Sequence, residues 1–356
     1  MKRQNFTLLV GYLSIALSIG SCGLFGSKTD PNQPIDRLES KEPQQRFRLA
    51  FYNLENLFDT IDGPNNDADF LPDSRNAWNS ERYQSKLSKL AQVIDSISPD
   101  ILGVCEVENR RVLEDLVKTS TWLSSQHFSI VHKESPDKRG IDVALLYRSQ
   151  QHSPNGFVVA AEELIPVELP DTSKPTRSIL KVTLSTSNNV LFDVFVNHWP
   201  SRSGGELETR KLRGIAASTI KKHITQISEN TPLYRWVAVG DFNDNPTDSS
   251  MLHIWGAGNF EQSAINLGLI YRTTWPDKGT LKYKGKWDLF DQIIVSRSFY
   301  HLGPTSRMPE QTVFLRDWLL QQDGNFAGYP LRSFGGKSYL GGYSDHLPVY
   351  TDLELH

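Results

Sequence analysis

The sequence predicts an α/β (α+β) fold of two mixed β-sheets flanked by helices. Two observations point to it. Strand signals outnumber helix signals, and helices fall between strands in both halves of the chain, which argues against a purely parallel doubly wound sheet. A third observation sets the scale. Once an N-terminal segment is set aside, roughly 310 residues remain, enough for one large core or two small ones, and residues 46–356 read as a single domain.

The elements follow in order. Residues 1–22 read as an export signal: Lys2 and Arg3 precede an apolar stretch over 6–19, and Gly20-Ser21-Cys22 follow. That stretch is too short, and too interrupted by Gly and Ser, for a membrane span. Ile19-Gly20-Ser21-Cys22 is similar to a bacterial lipobox, which predicts a lipidated Cys22 that tethers the protein to a membrane; the alternative is an ordinary signal peptide with an incidental Cys. The expected location is therefore the cell envelope. By similarity to Gram-negative lipoproteins, the lack of Asp after Cys22 points to the outer membrane, on its periplasmic or surface face. Residues 23–45 are polar, carry Pro31, Pro34 and Pro43, and read as a flexible tether. Only Cys105 remains beyond Cys22, so no disulfide can staple the domain.

Phe47, Leu49 and Phe51 alternate with Arg48, Ala50 and Tyr52, predicting a strand over 47–52. Leu87, Leu90, Val93, Ile94 and Ile97 form an apolar stripe that predicts a helix over 81–97, with Ser80 as N-cap and Pro99 as terminator. A strand over 100–104, a helix over 110–118 and strands over 128–132, 142–147, 179–184 and 190–196 come next. A helix is expected over 206–227 with Leu207, Ile215, Ala216, Ile220 and Ile224 inward, and strands over 236–239, 292–295 and 347–353.

The chemistry-bearing residues stand at the ends of these strands. Asn53, Glu106, His198 and Asp241 each follow a strand, while Asp291 and Asp345 each precede one. In mixed sheets, the ends of upward strands and the starts of downward strands share a rim, so all six could meet there. Glu106 closes the apolar ILGVCE and either caps a turn or faces a site. Asn53 and Glu55 share one strand parity. Such hard oxygen donors suit Mg²⁺ or Mn²⁺ rather than zinc, for which no Cys/His cluster exists at the right spacing. Asp241-Phe242-Asn243 leaves the buried WVAVG strand through Gly240; alone it would be an Asx turn, otherwise its side chains hold a water or a phosphate oxygen. His198 in FVNHWPSR and His346 in YSDHLPVY can transfer protons and polarise a phosphate, with Asp291 as the expected partner of His346 and Asp142 of His198. Arg177 in PTRSIL either grips a phosphate oxygen or is a solvated edge residue.

Net charge is −3, so the whole molecule is not built to attract polyanions, and nucleic-acid binding needs a local basic patch. DKGTLKYKGKWD offers one: in an extended segment Lys282, Lys284 and Lys286 lie on one side, Tyr283 and Trp287 on the other. It reads either as a grip on a phosphodiester backbone or headgroup, or as an edge strand whose lysines block pairing. Arg202, Arg210, Lys211 and Arg213 form a second positive region or a solvated helix face.

These motifs, in this order over residues 47–353, with GDFN at 240–243 and SDH at 344–346, resemble the endonuclease/exonuclease/phosphatase superfamily of Mg²⁺-dependent phosphoesterases. The resemblance implies a four-layer α/β/β/α sandwich with its site at one rim. It implies Glu106 as main metal ligand, supported by Asn53, Glu55 and Asp345. It implies Asp241 and Asn243 orienting water and phosphate, Asp291 partnering His346, His198 as in the deoxyribonuclease and sphingomyelinase branches, and Arg177 as a phosphate-binding residue. Cys105 departs from the Gln often found before the metal-binding Glu, and the long stretch 305–342 before SDH reads as a substrate loop. The expected activity is Mg²⁺-dependent (Mn²⁺ substituting) phosphodiester hydrolysis by in-line attack of water, on nucleic acid, by a monomer, with the base left open between Asp241 and His346. The alternatives are a sphingomyelinase-like or inositol/sugar-phosphate phosphoesterase, and a catalytically silent surface binding module.

Overall fold

A computed structural model describes residues 45–231, 233–299, 308–336 and 338–355; the predicted export signal, Cys22 and all of the predicted tether except Gln45 lie outside them. Alternating apolar residues start the chain as β1 (Gln45–Leu57), longer at both ends than its pattern predicts. Helix α1 (Ser80–Ile97) is capped by Asn79, one residue earlier than expected, whose side chain accepts the Arg82 N–H. It ends at Ser98, left-handed at φ 53°, just before Pro99. Then come β2 (Ile101–Val107), α2 (Arg110–Thr119), α3 (Thr121–Ser125), β3 (Phe128–His132) and β4 (Asp142–Arg148). The second half runs β5 (Val158–Ile165), β6 (Ile179–Ser185), β7 (Leu191–His198), α4 (Glu206–Ser228), β8 (Trp236–Asp241), β9 (Ala257–Gly258), β10 (Ala264–Asn266) and α5 (Leu267–Thr274). A hairpin, β11 (Leu281–Tyr283) and β12 (Lys286–Asp288), precedes β13 (Asp291–Ser296). The chain closes with β14 (Thr312–Val313), β15 (Phe334–Gly335), β16 (Ser338–Tyr339) and β17 (Val349–Leu355).

Two mixed sheets result, with strand orders β14-β17-β1-β2-β4-β3 and β5-β6-β7-β8-β13-β10-β9. They pack face to face. One buried cluster joins Leu49, Phe51, Val104 and Leu145 of the first sheet to Val182, Val194, Val239 and Ile293 of the second. Gly103 faces the second sheet, where a Cβ would stand 2.8 Å from the Val239 side chain and 3.4 Å from that of Val196, so a side chain there would force the sheets to shift. The apolar stripe of α1 covers the outer face of the first sheet. Helix α4 covers the second with Ala216, Ala217, Ile220 and Ile224, against Phe195, Trp236 and Ala238.

Four expectations need correction. Leu207 is 68% exposed, because at 100° per residue it lies about 140° around α4 from Ile220. Strand β5 was not foreseen: it is a mostly exposed edge strand without apolar alternation. The lysine-rich segment is not one extended ribbon. It folds back at Lys284-Gly285, pairing Lys282 with Trp287 and Tyr283 with Lys286. The arginines after His198 are largely neutralised: Arg213 is buried on Asp244 at 2.6 Å, and Arg202 reaches Asp244 and Asp248 at 3.0 and 2.6 Å.

Candidate active site

Each sheet delivers half of the polar set to one rim. In the second sheet, β7 and β8 run parallel with His198 opposite Asp241, and β13 runs antiparallel with Asp291 opposite Asp241. Three of the predicted site side chains thus stand on three adjacent strands by register alone. Gly240 lets the strands close up, since a Cβ there would meet the Asn197 carbonyl oxygen at 2.5 Å.

In the first sheet, β1 and β2 run parallel, and both lose register at the rim, between Asn53 and Leu57 and between Cys105 and Val107. Glu55, Asn56 and Glu106 adopt positive φ of 50°, 50° and 60° there, and Asn243 does so at 50° on the other sheet. Non-glycine residues seldom accept this conformation, and such strain concentrates at functional sites. The Asn56 N–H donates to Glu106 Oε2 at 3.0 Å and holds the twist.

The two halves meet at Asp241. Its Oδ2 accepts from Asn53 Nδ2 at 3.1 Å and lies 3.8 Å from Nε2 of both His198 and His346. Its Oδ1 accepts the Asn243 N–H at 2.9 Å, an Asx turn that fixes the carboxylate. His198 Nε2 is also 3.8 Å from Glu106 Oε1. His346 Nδ1 is paired with Asp291 Oδ2 at 2.7 Å. The Ser344 hydroxyl donates to the Asn53 carbonyl at 2.7 Å and docks the SDH turn on β1.

Charge separates the two imidazoles. Burial disfavours the His346 cation, but Asp291 and Asp241 outweigh it and lift its pKa well above the usual imidazole value. Burial lowers that of His198 well below it, with Arg177, Arg139 and His346 adding to the effect. His198 is therefore neutral, and His346 carries the proton. Burial raises Asp241 to about 7 against the pull of His346, with the neighbouring Asp291 adding to the rise.

Other predicted residues are placed differently. Arg177 lies beneath the rim: Nη1 binds Asp137 at 2.9 Å and Nη2 donates to the Trp199 carbonyl at 2.7 Å, so its fork anchors the turn after His198. Asn243 Nδ2 donates to the same carbonyl at 3.0 Å. Asp142 does not partner His198; it ends on the first sheet, where its Oδ2 meets His132 Nε2 at 3.1 Å. Glu55 is buried in an ion-pair network. It accepts from the Ser333 N–H at 2.7 Å and meets Arg332 Nε at 3.3 Å and Lys86 Nζ at 3.6 Å. Asp345 Oδ2 accepts from Arg332 Nη2 at 2.9 Å.

Lys86 and Arg332 escaped the sequence reading. Lys86 had a signal, since it sits on the inner stripe of α1 between Tyr83 and Leu90, where a lysine needs a buried partner. Arg332 had none, lying in a segment without periodicity.

Which residues fit a divalent cation follows from their remaining valence. Glu106 Oε1 has no hydrogen-bond donor among the described residues, and the side-chain amide oxygen Oδ1 of Asn53, which accepts the Glu55 N–H, keeps a second lone pair. Asp345 keeps one oxygen beside its Arg332 contact. This all-oxygen set suits Mg²⁺ or Mn²⁺. Both Glu55 oxygens are already engaged, so it fits least. A further group, His132, Glu134 and Asp142, brings donor atoms within 4.8 Å of one another.

A family model described as the Endonuclease/Exonuclease/phosphatase family matches residues 48–355. Among solved structures, the chain is similar to an endonuclease/exonuclease/phosphatase family protein from Bacteroides thetaiotaomicron, at 17% identity and TM-score 0.56, covering 88% of this chain and 99% of that one. Truncated TDP2 from Caenorhabditis elegans is similar at 14% identity and TM-score 0.54, covering 87% and 97%. A mannosyl-6-phosphatase from Bacteroides thetaiotaomicron is similar at 16% and 0.52, covering 86% and 99%. At these identities the likeness is one of fold. None of the curated proteins matches the chain.

Proposed function

The chain belongs to the endonuclease/exonuclease/phosphatase family, and from that premise we propose that it hydrolyses phosphodiester bonds of nucleic acid by in-line attack of water, with Mg²⁺ as cofactor and Mn²⁺ as a substitute. The observation that carries the reading is the convergence of Asn53, His198 and His346 on one oxygen of Asp241, with Asp291 behind His346. Glu106, aided by Asn53 and Asp345, would hold the ion, which when bound would neutralise charge on the phosphate and the departing oxygen. Asp241, poised near neutrality, takes the proton of the attacking water. Its Asx turn and the Asn53 amide orient it for that task. Asp291 and Asp241 raise the pKa of His346, which favours its cation over a role as base; the cation presents its positive charge to the developing negative charge. His198, neutral, hydrogen-bonds a phosphoryl oxygen through Nε2, and Arg177 keeps it in place.

A sugar-phosphate phosphatase is the second reading, favoured by the similarity to a mannosyl-6-phosphatase. A silent binding module is disfavoured because both imidazoles and the carboxylates are present and positioned. Plasmid DNA, single-stranded oligonucleotides, sphingomyelin, inositol phosphates and mannose 6-phosphate, each with Mg²⁺ or EDTA, test these readings together. Metal-dependent cleavage of the nucleic acids supports the first, turnover of the sugar phosphate alone supports the second, and turnover of none overturns both. We also propose a monomer anchored to the envelope through lipidated Cys22, on the strength of the basic start, apolar run and lipobox-like Ile19-Gly20-Ser21-Cys22. Palmitate labelling that persists in Cys22→Ser would overturn the anchor.

A further inference from the structure

A cavity of about 350 Å³ opens beside Asp345, between the β11–β12 hairpin and the segment before the SDH turn. The hairpin is tied to that turn: the Leu347 N–H donates to the Thr280 carbonyl at 2.8 Å, and Leu281 bridges His346. The cavity is therefore fixed relative to the catalytic imidazole. Its walls include Tyr283, Phe326, Tyr329 and Leu340. Tyr283 and Phe326 are 61% and 57% exposed, so neither ring serves the core.

Cations stand among the rings. Lys282 Nζ lies 4.9 Å from the Tyr329 ring centre, and Lys284 Nζ lies 5.2 Å from that of Tyr283. Arg332 lines the cavity as well, with Nη1 unpartnered among the described residues. The combination selects an anion attached to a flat apolar body. A choline headgroup would be repelled by Lys282 and Lys284, which have no carboxylate partner among the described residues, and an acyl chain would need a longer channel with no positive charge. A base within a duplex is stacked on both faces and cannot enter a space that suits one small ligand.

We propose that this cavity is a subsite for one unpaired nucleobase flanking the phosphodiester under attack, with Phe326 and Tyr283 as stacking surfaces and Arg332 as contact for the adjoining phosphate. This rests on the phosphodiesterase reading and narrows it to single-stranded or frayed nucleic acid.

Binding tests the subsite separately from turnover. Fluorescence anisotropy in EDTA at low salt compares a short single strand with strands in which each position in turn lacks its base. The expectation is that removing one particular base weakens binding about tenfold, the scale of one base–aromatic stack. Phe326→Ala and Tyr283→Ala should erase that difference; both side chains are exposed, so the fold should persist, with circular dichroism as the check. Equal binding of base-bearing and abasic strands overturns the subsite. So does an effect of the same variants on sphingomyelin vesicles alone. Base-dependent binding without metal-dependent cleavage leaves the subsite standing and sinks the phosphodiesterase reading instead.

Discussion

The two flanks of the rim are built in opposite ways. Behind His198, Arg177 is buried on Asp137, Arg213 and Arg202 share Asp244, and Trp199 packs edge-on to Phe242 at 4.8 Å. Beyond His346, Lys282, Lys284 and Arg332 lie among half-exposed rings on turns and short strands. One flank locks an imidazole in place; the other leaves charge and aromatic surface open. Residues that must act on a reacting atom come from strand ends with rigid neighbours, while residues that would choose a substrate come from the loops.

The contrast can be broken in several ways, beginning with the largest effect. Chelation should abolish turnover and Mg²⁺ restore it, with circular dichroism unchanged; full activity in EDTA would dismantle the metal reading. Asp241→Ala on the rim should lower kcat by about 1,000-fold, in the range of lost general base catalysis, while leaving the melting temperature close to wild type. On the closed flank, Arg177→Ala takes the buried guanidinium from Asp137, which keeps only the half-exposed Arg139 at 3.4 Å, and from the Trp199 carbonyl, and should cost about 3 kcal/mol in denaturant unfolding. On the open flank, Lys284→Ala should stay within about 0.5 kcal/mol. Equal costs at these two positions would erase the contrast. The smallest effect concerns pH. Burial lowers the pKa of His223, on the helix that covers the closed sheet, below its ordinary 6.5. Its neutral form is then preferred on folding, so its contribution is present above pH 6.5 and is lost as pH falls through the lowered value. His223→Gln should make the fall in melting temperature below pH 6.5 slightly shallower; an identical slope would refute the assignment.

How much of this was legible in the sequence follows the same divide. Strands with one or two buried faces announced themselves, as Phe47, Leu49 and Phe51 did, and the residues at their ends followed from strand direction. Asp291 and His346 were paired correctly because each abuts a readable strand. The exposed edge strand β5 carried no pattern to read. Arg332 meets Glu55 across 277 positions, a contact that no local periodicity encodes. The planar fork of Arg177 suits a phosphate and a backbone carbonyl equally well, and only the fold shows that Trp199 takes it. Lys282 and Lys284 were read as one face because the turn at Gly285 could not be told from a continuing strand.

The closest contacts of the rim bridge the sheets, and β17, the last strand, pairs with β1, the first described, from Gln45 opposite Leu355 onward. During synthesis Asn53 and Glu106 emerge long before Asp345 and His346. A ribosome that stalls before residue 346 releases a product with neither the second imidazole nor the turn that docks on Asn53. The topology thus makes the rim an all-or-nothing assembly: no fragment that stops short of the SDH turn carries both imidazoles.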